Sequence, residues 1–149
     1  MSHLNYYLSL LPTTTYISRN AIFSGYFPLE LKKKHPNIWN EMNKNQYSYN
    51  SYEKKLFKNQ ISKIKNKTSN YYVKISNYNQ GRKFLNKMDQ FKDIECMAIV
   101  INFIDILTHA RLESKFIKEI VPNEIAHRNI IKTWFKNSWF FEILKKISN

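Results

Sequence analysis

The chain has 149 residues, of which 43% are apolar and 15% aromatic, and its 24 Lys and Arg against 11 Asp and Glu give a formal net charge of +13. This much apolar surface can form a core, which excludes a chain that is disordered throughout. A single cysteine, Cys96, excludes a disulfide-stapled scaffold and a zinc finger, and we expect its thiol to be buried and inert.

Only two glycines and four prolines are present, and such scarcity of turn residues predicts a mainly helical fold. In the first 50 residues we predict a short helix over 4–11, followed by irregular, aromatic-rich chain. Pro28 and Pro36 each suit a first helical turn, so a basic helical turn is predicted over 29–34 and a short helix over 37–43.

From residue 51 the apolar positions recur at helical spacing, which predicts an amphipathic helix with a basic side over 51–66. Residues 71–75 are rich in β-forming side chains and predict a short extended segment. Three further helices are predicted over 83–109, 112–121 and 123–146, and the first should be the central buried helix because it is apolar on nearly every side over 97–107. The expected fold is one mainly helical domain over 51–149 with a three-helix C-terminal core. Residues 1–50 should form an N-terminal arm with short helices.

The positive charge is concentrated in the middle of the chain. Residues 31–93 hold 15 basic and four acidic residues, a net charge of +11, whereas 1–30 carry no net charge and 94–149 only +2. The abundance of Asn, Ile and Lys indicates an A/T-rich genome, that is, a low-GC bacterium, one of its viruses or plasmids, or an organelle. Codon bias should act along the whole chain, so it does not explain the concentration, which is most easily understood if a polyanion neutralises it.

Lysines that can neutralise phosphates alternate here with tyrosines that can stack on unpaired bases. Only four arginines are present, so base-edge readout should be minor. We therefore predict a nucleic-acid interface, RNA favoured over DNA, formed by Lys54, Lys55, Lys58, Lys63, Lys65, Lys67, Tyr71, Tyr72, Lys74, Tyr78, Arg82, Lys83 and Lys87.

Motifs for catalysis and metal binding are weak. Glu124 and His127 have the Glu-x-x-His spacing of a di-iron bundle, but no second copy accompanies them. The two isolated glycines cannot form a phosphate-cradling loop. No catalytic residue, metal, cofactor or small-molecule substrate is predicted.

The sequence thus favours a non-enzymatic subunit of a ribonucleoprotein or ribosome-like assembly, with protein neighbours, in the cytoplasm or an organelle matrix such as that of the mitochondrion, and neither secreted nor membrane-bound. Two alternatives stay open. One is a viral or mobile-element protein that inhibits a host protein. The other is a metal-dependent nuclease that uses Asp105, His109 and His127, with Arg111 beside them.

Overall fold

Helices make up most of the fold, as the scarcity of glycine and proline predicts. A computed structural model describes residues 10–11, 13–44 and 51–148, and of Asn43 and Lys44 it describes the backbone alone. The chain divides into two compact units, residues 1–70 (unit 1) and 71–149 (unit 2). The single domain with an arm that ends at residue 50 stays a prediction.

Unit 1 contains four described helices: α1 (Thr15–Ser24), α2 (Pro28–Lys34), α3 (Pro36–Lys44) and α4 (Glu53–Ile64). Helices α2 and α3 confirm the short elements predicted from their prolines, and α4 confirms the amphipathic helix predicted over 51–66. The helix predicted over 4–11 lies almost wholly outside the described residues.

The prediction of irregular chain after residue 15 is wrong, because residues 15–24 form α1. Its buried face includes the polar residues Asn20 and Ser24 next to Ile17 and Ala21, which disguises the apolar periodicity. Both polar groups bond to the main chain of the same helix: Asn20 Nδ2 donates to Tyr16 O at 2.7 Å, and Ser24 Oγ donates to Ala21 O at 3.2 Å. Hydrogen bonding therefore lowers the cost of burying them.

The core of unit 1 is formed by Leu31, Ile38, Met42 and Leu56, which come from α2, α3 and α4. Helix α1 packs along α4. Because α4 turns Leu56 and its neighbour Phe57 inward, its lysines lie at the surface.

Unit 2 begins with a β-α-β arrangement. Strand β1 (Asn70–Ile75) leads to α5 (Tyr78–Asn86), a 3-10 turn (Met88–Phe91) and strand β2 (Cys96–Ile101). The two strands pair in one sheet, and Asn102 N donates to Ile75 O at 3.4 Å. Because Ile75 ends β1 and Asn102 directly follows β2, the strands run parallel. Strand β1 confirms the extended segment predicted over 71–75.

The helix predicted over 83–109 is wrong, since strand β2 lies in the middle of that range. A continuous apolar run such as Cys96–Ile101 fits a buried strand and a buried helix equally well by periodicity. Pairing with β1, which is distant in sequence, decides between them. Cys96 accordingly lies half-buried on a strand.

The remaining helices of unit 2 are α6 (Phe103–Glu113), α7 (Lys115–Ile120), α8 (Glu124–Lys136) and α9 (Trp139–Ser148). Helix α7 confirms a shorter form of the helix predicted over 112–121. The single helix predicted over 123–146 is interrupted at Asn137 and Ser138, where Ser138 Oγ accepts from Phe141 N at 3.3 Å and so caps a new helix.

The buried centre of unit 2 differs from the predicted three-helix core. It is formed by Ile75 of β1, by Phe84 and Leu85 of α5, and by Trp139 and Ile143 of α9. No residue of α6 or α7 is buried. None of the helices in the described ranges has the length and apolar character needed to span a bilayer.

Candidate nucleic-acid interface

The thirteen residues of the predicted interface divide between the two units. Lys54, Lys55, Lys58 and Lys63 are exposed on α4, and Lys65 and Lys67 are exposed just after it. Leu56 and Phe57 of the same helix are buried, so α4 has one face in the core and a basic face in solvent. Unit 1 thus contributes six surface lysines on α4 and directly after it, which we call the α4 lysine row: Lys54, Lys55, Lys58, Lys63, Lys65 and Lys67.

The other seven predicted residues lie in unit 2, and their environments differ. The Tyr71 ring packs against Phe91, at 4.4 Å between centroids, and against Phe84, at 6.3 Å, so packing occupies its faces. Tyr72 is half-buried, whereas Tyr78 is exposed. Arg82 pairs with Glu142 at 3.5 Å. The structure leaves Lys74, Lys83 and Lys87 exposed.

One cluster in unit 1 escaped the sequence analysis. Lys63 Nζ donates to the Tyr26 hydroxyl at 2.6 Å and lies 4.2 Å from the centroid of the Tyr26 ring. Lys34 Nζ lies 5.1 Å from the same centroid. The Lys63 hydrogen bond is the main cause that lowers the pKa of the Tyr26 hydroxyl below its usual value. Residues 26 and 63 are 37 positions apart, so no local spacing could reveal the contact.

His35 lies beside this tyrosine, with 6.1 Å between the two ring centroids. Burial lowers the pKa of His35, and the positive charges of Lys63, Lys55 and Lys34 lower it further. The imidazole is therefore neutral at neutral pH.

An apolar cavity of about 220 Å³ lies in unit 2 at the carboxyl ends of both strands. Ligands of α/β folds commonly bind at this end of a parallel sheet. The lining includes Phe103 and Trp134, whose rings stack at 4.0 Å, together with Trp139, and no charged residue contributes to it. The cavity therefore suits an apolar or aromatic group better than a phosphate.

The histidines proposed for a nuclease occupy separate pairs. His109 Nε2 lies 3.5 Å from Asp105 Oδ1 on the exposed side of α6. His127 is buried on α8, with Nε2 3.4 Å from Thr108 Oγ1 and Nδ1 3.9 Å from Glu124.

Glu124 is held mainly by Arg111. The hydrogen bond and charge of that guanidinium lower the pKa of the Glu124 carboxyl. Arg111 Nε also donates to Val121 O at 3.1 Å, so this arginine ties α6 to the chain that precedes α8. The Glu-x-x-His motif is thus part of a structural contact between helices.

A comparison with family models identifies the chain. Residues 1–149 match the family described as PglZ, the BREX system PglZ alkaline phosphatase-like domain. The chain therefore belongs to the PglZ family. No curated protein sequence matches it.

This membership corrects the functional prediction. The non-enzymatic subunit of a ribonucleoprotein is wrong, because the family is that of an alkaline phosphatase-like domain. The ribosomal and mitochondrial assignments and the organelle matrix are wrong as well, because BREX is a phage-defence system. The alternative of a viral inhibitor of a host protein is also wrong, because the chain belongs to a family of a phage-defence system. The match extends over residues 1–149, whereas the sequence analysis relied on short motifs and did not find the family.

Membership also places the chain in a system of several proteins, which agrees in general terms with the predicted protein neighbours.

Phosphatases commonly use divalent metal ions held by grouped carboxylates and histidines. Within 10–11, 13–44 and 51–148, no three His, Cys, Asp or Glu side chains are grouped closely enough to hold such an ion. The described residues do not fit a catalytic metal, and no step through one is assigned to them.

Proposed function

We propose that this chain belongs to a phosphoester-hydrolysing component of a BREX assembly in the bacterial cytoplasm, and that its lysines bind the phosphate backbone of a nucleic-acid substrate. The α4 lysine row provides the binding surface. The observation that supports the proposal most directly is this row, exposed along a helix whose opposite face is buried, in a chain whose family is named for a phosphatase-like domain.

The charge of the row favours a polyanion over a single small anion. Six lysines between residues 54 and 67 are exposed, and Glu53, the one acidic residue of α4, is buried against Arg19. Lysines so arranged release the counterions condensed on a nucleic acid, and this release makes binding strong at low salt and weak at high salt. Lysine binds phosphate as a point charge, so binding should depend little on base sequence.

The role proposed for the described lysines is substrate binding within such an enzyme. The described carboxylates and histidines form pairs rather than the larger groups that a phosphatase metal needs. Among the unit 2 residues of the predicted interface, Lys74, Lys83 and Lys87 are exposed cations, and we propose them as separate backbone contacts on unit 2. Tyr71 is omitted because its ring packs against Phe84 and Phe91.

The test is charge reversal with a matched control. The variant combines Lys54→Glu, Lys55→Glu and Lys58→Glu, and fluorescence anisotropy measures the binding of a labelled DNA strand from about 50 to 200 mM salt. Each lost phosphate contact should reduce the slope of log affinity against log salt by about one, so the triple variant should lose about three.

The control reverses three exposed lysines outside the proposed surface: Lys115, Lys118 and Lys132. It changes the net charge by the same amount. Equal losses of affinity and salt slope in the two triple variants would show that the α4 lysine row acts only through the overall charge. That result would contradict the proposal.

A further inference from the structure

Two lysines from two helices lie against one tyrosine in unit 1, and the charge of a third lysine acts on the histidine beside it. Lys63 of α4 donates to the Tyr26 hydroxyl and also lies over its ring, and Lys34 of α2 approaches the ring from 5.1 Å. Lys55 of α4 is near enough for its charge to act on His35, which adjoins Tyr26. Cations from separate helices thus share one small surface.

No carboxylate in the described part of the chain forms an ion pair with these cations. Among the described residues, the ion pairs formed by lysine or arginine involve neither Lys34 nor Lys55 nor Lys63. The nearest acidic residue on α2 is otherwise engaged, since Glu30 Oε2 accepts from Phe27 N at 3.1 Å and caps that helix. Like charges held together repel, and an anion seated among them would remove that cost.

Backbone geometry positions the tyrosine. Gly25 ends α1 with a φ of +67°, a left-handed conformation that side chains other than that of glycine rarely adopt. A Cβ on Gly25 would lie 2.7 Å from the amide end of the Gln60 side chain of α4, so the end of α1 lies directly against this side chain. The Gln60 amide can donate to Ile22 O and Phe23 O, each at 3.2 Å, and so ties the end of α1 to the helix that carries Lys63.

We propose that Tyr26, Lys34, His35, Lys55 and Lys63 form a phosphate-binding site, the Tyr26 site, that seats one phosphate group of a nucleic-acid backbone. This inference rests on the proposed function and locates its principal contact. The ammonium groups supply the charge, and the tyrosine hydroxyl and the imidazole N–H supply directed donors. A bound phosphate would replace the Tyr26 hydroxyl as partner of Lys63 or share it.

His35 provides a local reporter of occupancy. Lys34 faces it from α2, Lys55 and Lys63 from α4, and Tyr26 from the chain between α1 and α2. A phosphate anion among these cations should raise the pKa of His35, because it favours the protonated imidazole. NMR titration of the His35 ring, assigned with the His35→Gln variant, measures this change in the full chain.

The experiment compares three additions: a short DNA strand, inorganic phosphate, and sodium chloride at matched ionic strength. The DNA strand and inorganic phosphate should both raise the pKa of His35, whereas chloride should not. Lys63→Gln should abolish the response and weaken DNA binding by about three- to tenfold, with a loss of about one from the salt slope. Lys32→Gln, which removes an exposed lysine from α2, should leave the response of His35 intact.

The outcomes separate the two proposals. If the chain binds DNA with the slope expected from the α4 lysine row while the pKa of His35 stays constant, the Tyr26 site is wrong and the proposed function stands. A response to inorganic phosphate without any binding of DNA would support a phosphate site and overturn nucleic acid as its source. If neither addition changes the pKa and DNA does not bind, both proposals fail.

Discussion

The buried ion pair between α1 and α4 yields the sharpest stability prediction. Glu53 is fully buried, and the Arg19 side chain, 19% exposed, reaches it with two nitrogens: Nε lies 2.6 Å from Oε1, and Nη2 donates to Oε2 at 2.9 Å. The Arg19→Ala variant would leave a buried carboxylate without this partner. Breaking such a pair costs about 3–5 kcal/mol, and the partial exposure of Arg19 places the expected loss near the lower end, at about 3 kcal/mol.

A loss of this size is a large part of the total stability of an ordinary domain, which is about 5–15 kcal/mol. Hydrogen exchange can measure it unit by unit, through the amides of Leu56 in unit 1 and Ile143 in unit 2. The protection of Leu56 should fall by the predicted free energy, whereas that of Ile143 should not change, provided that the two units unfold separately.

Two controls test the physical reason. Arg82→Ala removes an exposed pair with Glu142 and should cost less than about 1 kcal/mol. The double variant Arg19→Met, Glu53→Leu should recover most of the stability, because an apolar pair of similar volume can replace a buried ion pair. The reasoning is refuted if Arg19→Ala costs no more than Arg82→Ala.

Three further predictions concern single residues in the two units. Gly81→Ala should destabilise unit 2 by about 1–3 kcal/mol or more, because the added Cβ would overlap the Trp139 ring; an unchanged urea midpoint would show that the ring moves aside freely. Asn77→Ala should cost about 1 kcal/mol, because the Asn77 side chain caps α5 by accepting from Gln80 N at 2.9 Å; no change in thermal midpoint would contradict the cap. Unit 1 should lose stability as the pH falls below 6.5, the ordinary pKa of histidine. The pKa of His35 is lowered in the folded chain, so the unfolded chain binds the proton more readily. Denaturation measured across this pH range should show a weaker pH dependence for His35→Gln.

Local signals in the sequence were sufficient to predict α2, α3 and α4. The prolines that open α2 and α3 fix a helical φ and need no hydrogen-bond partner there, so both helices could be predicted. The apolar spacing of α4 fixed which side of that helix would be basic. Strand β2 was missed because its identity depends on pairing with β1, some 20 residues earlier in the chain.

The same distinction applies to the candidate site. The α4 lysine row follows from helical periodicity, and the structure leaves it exposed. The contact of Tyr26 with Lys63 depends on how α1 ends against α4, and no spacing in the sequence encodes it. The family was missed for a related reason: the match extends over the whole chain, whereas sequence analysis relied on short motifs.

Lysine footprinting tests the central claim most directly. The full chain is acetylated at limiting reagent, with and without a saturating DNA strand, and mass spectrometry measures the modification of each lysine. The account predicts strong protection of Lys54, Lys58 and Lys63 by DNA, and little protection of the exposed Lys115 and Lys132. Equal protection of all lysines, or protection confined to unit 2, would contradict it.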